Sequence, residues 1–193
     1  ILNSSVYDGL FKSVKDYLQP VLSSFALSLP ILIAVNDAQR TSVVVAIIYF
    51  LIYLFSSYAS RNADRLRIFF AGNDRAINYS FIIGMILTGL TGLFFHFGIT
   101  ILSIVIFILL FALENARRPM NVSYISETIP AALMATGLSV ESQLKTAVIA
   151  ILAPIIGFLA DRLGVGIALS SVTLIILAMF PFISVRKTTL EEK

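Results

Sequence analysis

Asp8, Lys12 and Asp16 stand four residues apart near the start of the chain, with Tyr7, Lys15 and Gln19 beside them. Residues four apart share a helix face, so Lys12 can pair with either carboxylate. Such a stripe facing a water-filled cavity can bind a charged or hydroxylated solute, or pass protons. A second set comes after the uncharged run from Phe97 to Leu113: Glu114, Asn115, Arg117, Arg118, Asn121 and Tyr124. In a helix starting near residue 98, Glu114 lies roughly 24 Å along the axis, past the middle of a bilayer. A carboxylate there is costly to keep charged unless a cation is close, which suits proton coupling or cation binding. The plainer alternative is a structural pair with Arg117 or Arg118, at spacings of three and four. Asn115, Asn121 and Tyr124 extend the same polar face toward a substrate or a neighbouring helix.

Other chemistries lack their residues. The chain has no cysteine, hence no disulfide framework, thiolate metal site or cysteine nucleophile. One histidine, His96, is too few for a histidine-built metal or haem centre. No H-E-x-x-H, P-loop, G-x-S-x-G or dinucleotide fingerprint occurs. Gly137-Leu-Ser139-Val-Glu141 comes nearest to a serine elbow but lacks the second glycine. The expectation is a protein without catalytic residues, metal or cofactor.

The elements that must position these residues are apolar. Of 193 residues 58% are hydrophobic and 13% charged, with a mean hydropathy of +0.94; soluble domains carry about 25% charge. Uncharged runs cover 17–36, 41–60, 76–95, 97–113, 146–160 and 163–185. A spanning helix needs about 20 such residues, and only helices or closed barrels satisfy their backbone in lipid. The runs are too long for barrel strands. They predict an all-α membrane protein, a single domain over 1–193, with a bundle of six transmembrane helices. Helices are expected at about 41–60, 76–96, 98 to Glu127 through Pro119, 139–161 and 164–185, with a polar loop at 61–75 and a polar joint at 128–138. The first helix has two registers: 17–36, interrupted by Pro20 and Pro30, or about 1–24 with Asp8 to Asp16 inside the membrane.

Basic residues orient the bundle. With the 61–75 loop in the cytoplasm, that side holds Arg61, Arg65, Arg67, Arg75, Arg117, Arg118, Lys145, Arg186, Lys187 and Lys193, while Arg40 and Arg162 lie opposite. Both termini are then cytoplasmic. The net charge of +3 reflects this topology and not a nucleic-acid partner. A start at Ile1, without a basic-then-apolar leader, predicts no signal peptide.

Ala-Asp-Arg-Leu occurs at 63–66 and again at 160–163. Each copy is expected to end the second helix of a three-helix set, and an odd number of helices places the copies on opposite faces. That is the pattern of a 3+3 inverted repeat. Asp64–Arg65 and Asp161–Arg162 then read as conformational latches, or simply as interfacial anchors. Gly84, Thr88 and Gly92, like Ala153 and Gly157, form small-residue stripes for close helix packing. Glu141, near the start of the fifth helix, suits the helix dipole.

Gly157-Phe-Leu-Ala-Asp161-Arg162-Leu-Gly164 resembles the G-x-L-A-D-R-x-G signature of the major facilitator superfamily, and Asn62-Ala63-Asp64-Arg65 resembles its degenerate copy. Arg117-Arg118-Pro119 through Tyr124, Ile129-Pro130 and Ala135-Thr136-Gly-Leu-Ser139 is similar to that family's tenth helix and the joint after it. Ser60, Arg67 and Met134 depart from the pattern. The resemblance covers nearly the whole chain. It implies helices seven to twelve of a carrier that works by alternating access, with an N-terminal six-helix half, or a second copy, as partner. Membrane lipid and a small-molecule substrate complete the expected partners. The alternatives are a non-transporting membrane subunit of a multi-chain complex and, more remotely, an intramembrane enzyme.

Overall fold

A computed structural model describes residues 1–29 and 36–185, and among these residues every regular element is helical. The order is α1 (Leu2–Val14), a 3-10 turn (Lys15–Tyr17), α2 (Leu18–Ser28), α3 (Asp37–Arg61), α4 (Ala63–Phe69), α5 (Asn73–His96) and α6 (Thr100–Thr128). A second 3-10 turn (Ala131–Leu133), α7 (Met134–Leu163), α8 (Val165–Ala178) and α9 (Phe180–Ile183) come next. Pro30, Arg186, Lys187 and Lys193 lie outside the described residues.

Local chemistry sets the boundaries. Asn36 caps α3, its side-chain oxygen accepting from the Gln39 N–H at 2.9 Å, which satisfies one of the free amides of the first turn. Pro119 cannot donate to the Asn115 carbonyl, yet α6 continues through it to Thr128. α7 ends at Gly164, whose φ of 86° is a left-handed conformation that favours glycine. The segment expected as a polar loop at 61–75 contains α4. α7 begins at Met134, five residues before its expected start, and the last apolar run is divided into α8 and α9.

The first rod starts at Leu2. Tyr7, Leu10, Phe11, Val14, Leu18, Val21, Leu22 and Ala26 recur at three- and four-residue spacing and are all buried. This continuous inward face puts Asp8 and Lys12 on a packed helix and not on a solvated leader. Pro20, the third residue of α2, has no N–H for the Asp16 carbonyl. The α-helical ladder lapses at this point, and the 3-10 turn fills the gap.

α5 packs on α6 and α8, α1 on α7, and α3 on α6. At the α5–α8 seam a Cβ on Gly92 would stand 2.5 Å from the Gly166 carbonyl oxygen, and one on Gly166 2.6 Å from that of Gly92. The core joins α1, α2, α5, α6 and α8 around Phe81, Met85, Phe107, Leu110 and Leu169.

Among the described residues four helices are long and apolar enough to cross a membrane: Asp37–Arg61, Asn73–His96, Thr100–Thr128 and Ala131–Leu163. Their most apolar windows are buried to very different extents: 44% for α5 and α6, but 11% for α3 and 6% for Ala131–Leu163. α3 and α7 therefore present most of their apolar surface outward, as helices solvated by lipid do.

Candidate functional site

Arg117 is fully buried. Its Nη1 donates to the Ile77 carbonyl at 2.8 Å and to Ser80 Oγ, both on α5. Nη2 donates to Asn3 Oδ1 on α1 at 2.9 Å, and the guanidinium lies over the Tyr7 ring. Tyr7 fits there because position 84 is glycine; a Cβ would collide with the ring. Arg118, one residue further and about 100° round the helix, points to the surface instead. Its Nε donates to Glu114 Oε1 at 3.2 Å. Of the two arginines offered by the sequence, Arg118 is the ion-pair partner of Glu114. Glu114 is 1% exposed, and its Oε2 accepts no hydrogen bond among the described residues.

Beside this pair, α1, α6 and α7 line a half-open cavity of about 360 Å³. Asp8 and Lys12 line it from α1, Arg118, Asn121 and Val122 from α6, and Glu141 and Lys145 from α7. Asp8 Oδ1 and Asn121 Oδ1 are buried without a hydrogen-bond partner among the described residues. α1 is held against α7 by Ser5 Oγ donating to the Glu141 carbonyl at 3.1 Å. Gly9 permits the approach, since a Cβ there would stand 2.5 Å from Val148 Cγ1.

The sequence candidates divide. Asp8, Lys12, Glu114 and Asn121 gather at this place, with Glu114 behind Arg118. Asp16 and Gln19 are exposed and outside the cavity; Asp16 pairs with Lys15 at 3.7 Å. The 3-10 turn accounts for this. It advances 120° per residue against 100° in an α-helix, so three residues rotate the next helix by about 60°. Asn115 Nδ2 donates to the Phe111 carbonyl at 2.8 Å within its own helix. Tyr124 is half-buried and not among the lining residues.

The Asp-Arg pairs sit apart from the cavity. The first Ala-Asp-Arg-Leu copy opens α4, and the second closes α7. Asp64 pairs with Arg67 at 3.6 Å and Arg65 is exposed. Asp161 and Arg162 are exposed, with the Arg162 guanidinium 5.2 Å from the Phe158 ring centroid.

Glu141 and Lys145 are the lining residues that sequence reasoning set aside. Glu141 suited a helix N-terminus only if the helix began near 139; with α7 starting at Met134, it lies in the helix body. Their signal was an acid with a lysine four residues after it, the order of Asp8 and Lys12. Among the described residues no group of three His, Cys, Asp or Glu side chains is placed to hold a metal.

No family model, no curated protein and no solved structure matches the chain. The side chains themselves must say what the cavity can do. A polar space carrying both charge signs between α1, α6 and α7 can hold a small charged solute.

Proposed function

We propose that the chain is one half of a secondary active transporter of the major facilitator type, moving a small solute by alternating access with proton or cation coupling. The observation that carries this reading is the cavity walled by Asp8, Lys12, Arg118, Asn121, Glu141 and Lys145 between α1 and the two membrane-length helices α6 and α7. Ionisable residues in such surroundings are expensive and mark solute or ion pathways.

Part of the packing supports a six-helix, 3+3 inverted repeat. Counting six rods (α1 with α2, α3, α5, α6, α7 and α8), the repeat exchanges one with four, two with five and three with six. The contact of rods one and five then corresponds to that of rods four and two, and rod three must meet rod six. α1–α7, α6–α3 and α5–α8 are the corresponding contacts, whereas the extensive α5–α6 and α7–α8 contacts have no close counterpart in α8 with α1 or α2 and in α3 with α5. The basic bias places both termini in the cytoplasm, and an N-terminal six-helix half, or a second copy, closes the cavity from the other side. Glu114, paired with Arg118 through one oxygen only, is the coupling group: protonation or cation binding releases Arg118. Asp64–Arg65 and Asp161–Arg162 act at the ends of the bundle as latches between states. The open apolar faces of α3 and α7 also fit a membrane subunit bound by other chains.

The test uses the complete protein in proteoliposomes. E114Q abolishes coupled uptake while expression and folding persist, and cysteines introduced at residues 8 and 12 react with aqueous thiol reagents. Full ion-driven uptake by E114Q removes the coupling role of Glu114. Complete protection of residues 8 and 12 removes the cavity and favours the subunit.

A further inference from the structure

We infer that α4, with the ends of α3 and α5 that flank it, is a docking surface for the headgroups of anionic phospholipids. The inference does not depend on what the cavity carries. α3 and α5 have 25 and 24 residues. At 1.5 Å per residue they are about 36–38 Å long, more than the ~30 Å hydrocarbon core of a bilayer. In a membrane their ends therefore reach the headgroup layer, and α4 joins two of those ends.

α4 has two unlike sides. Ala63, Leu66 and Phe70 pack inward with Ala59, Ala76, Ala116 and Met120. The outer side carries Ile68 and Phe69, 73% and 79% exposed, and Arg65 stands three and four residues before them on the same face. Large apolar side chains around a guanidinium suit the boundary between headgroups and acyl chains. There the apolar groups enter lipid and the charge stays with phosphate. An aromatic run continues this surface onto α5. The Phe69 and Phe70 ring centroids are 5.0 Å apart, and Phe70 stacks at 5.3 Å on Tyr79, which is exposed on the flank of α5. Tyrosine at this level is a usual membrane-interface anchor.

The charge of the surface is what selects the lipid. Arg61, Arg65 and Arg75 are exposed, and none has an ion-pair partner among the described residues. Asp64 is engaged by Arg67 at 3.6 Å, which leaves Arg65 to the headgroup. Over residues 61–75 four arginines stand against two aspartates, Asp64 and Asp74. The nearby Glu127 carboxylate is held by Asn73 Nδ2 at 2.9 Å and by Ser123 Oγ at 3.0 Å. Guanidinium groups pair strongly with phosphate. A choline headgroup cancels its own phosphate charge, whereas a phosphatidylglycerol headgroup does not. Each arginine near an anionic surface strengthens the attraction about fivefold.

The chain has no tryptophan, so Phe69→Trp places a single fluorophore on this surface. The complete protein is reconstituted in phosphatidylcholine vesicles containing phosphatidylglycerol, and either lipid is supplied in brominated, quenching form. Quenching at residue 69 is expected to give an association constant for phosphatidylglycerol at least about fivefold above that for phosphatidylcholine. Phe97→Trp, at the opposite end of α5, should show a ratio near one. R61Q, R65Q and R75Q together bring the ratio at residue 69 close to one with helicity retained, while the three lysine replacements preserve it. Equal quenching by both lipids, an equal preference at residue 97, or a preference that survives the glutamine replacements overturns the inference. Quenching by neither lipid shows that the outer side of α4 meets something other than lipid, and overturns it too. Displacement of phosphatidylglycerol by millimolar inorganic phosphate assigns the arginines to a free anion instead.

Discussion

The Arg117 guanidinium lies 4.0 Å from the centroid of the Tyr7 ring. With its bonds to Asn3, Ile77 and Ser80, this contact makes one side chain a junction of α1, α5 and α6. Two carbonyl-type oxygens and a hydroxyl answer its Nη1 and Nη2 and an aromatic face covers the guanidinium, while Nε has no hydrogen-bond partner among the described residues.

Replacing Arg117 should therefore cost stability well beyond a surface arginine. Hydrogen bonds to charged groups contribute about 1.5–3 kcal/mol each, and a desolvated cation–π contact about 2 kcal/mol. Arg117→Met is expected to lose on the order of 3 kcal/mol. Arg117→Lys recovers little, because an ammonium cannot reproduce the planar fork. Thermal unfolding in detergent measures both, and an unchanged midpoint for Arg117→Met would contradict the junction.

The α5–α8 seam gives opposite signs for two alanine substitutions. At Gly166 the new methyl meets the Gly92 carbonyl and the His96 backbone, so the helices must part, at about 1–3 kcal/mol. At Gly89 the nearest atom is Thr173 Cγ2 at 3.8 Å, an ordinary contact. Gly89→Ala should gain up to about 1 kcal/mol from helix propensity. Paired melting curves decide between them.

The same contrast shows what the sequence could and could not tell. Uncharged runs located α3, α5, α6 and α7 because length and hydropathy are local properties. The partner of Glu114 was not local information: Arg117 and Arg118 offer similar spacing, and only the neighbours on α1 and α5 draw Arg117 away. Asp16 looked equivalent to Asp8 because the four-residue rule assumes one continuous α-helix, which Pro20 and the 3-10 turn interrupt. Glu141 was set aside because the start of α7 was placed five residues late.

Glu114 and Arg118 should be coupled energetically. Removing the cation alone in Arg118→Gln leaves a carboxylate 1% exposed without its partner, a loss on the order of 3 kcal/mol. Adding Glu114→Gln should restore much of it. A double-mutant cycle by thermal or denaturant unfolding reads the interaction, and strictly additive effects would count against the pair.

Asn78 holds the chain beyond α9. Its Nδ2 donates to the Val185 carbonyl at 2.7 Å and its Oδ1 accepts from the Val185 N–H at 2.8 Å. Asn78→Ala should raise hydrogen exchange at Val185 about tenfold, the loss of roughly one net hydrogen bond, while exchange inside α5 stays slow. Equal exchange in both proteins would show that other contacts fix this end.

The 3-10 turn at Lys15–Tyr17 separates the charged part of the first rod from its apolar continuation. A turn of this kind works as a clocking device. Deleting one of its residues would swing α1 relative to α2 by about a third of a revolution and shift it along the axis by about 2 Å. Asp8 and Lys12 would then leave the wall they share with Glu141 and Lys145, with every cavity-lining residue still present. Selectivity in such a protein can change through the length of a connector as readily as through the side chains that meet the solute.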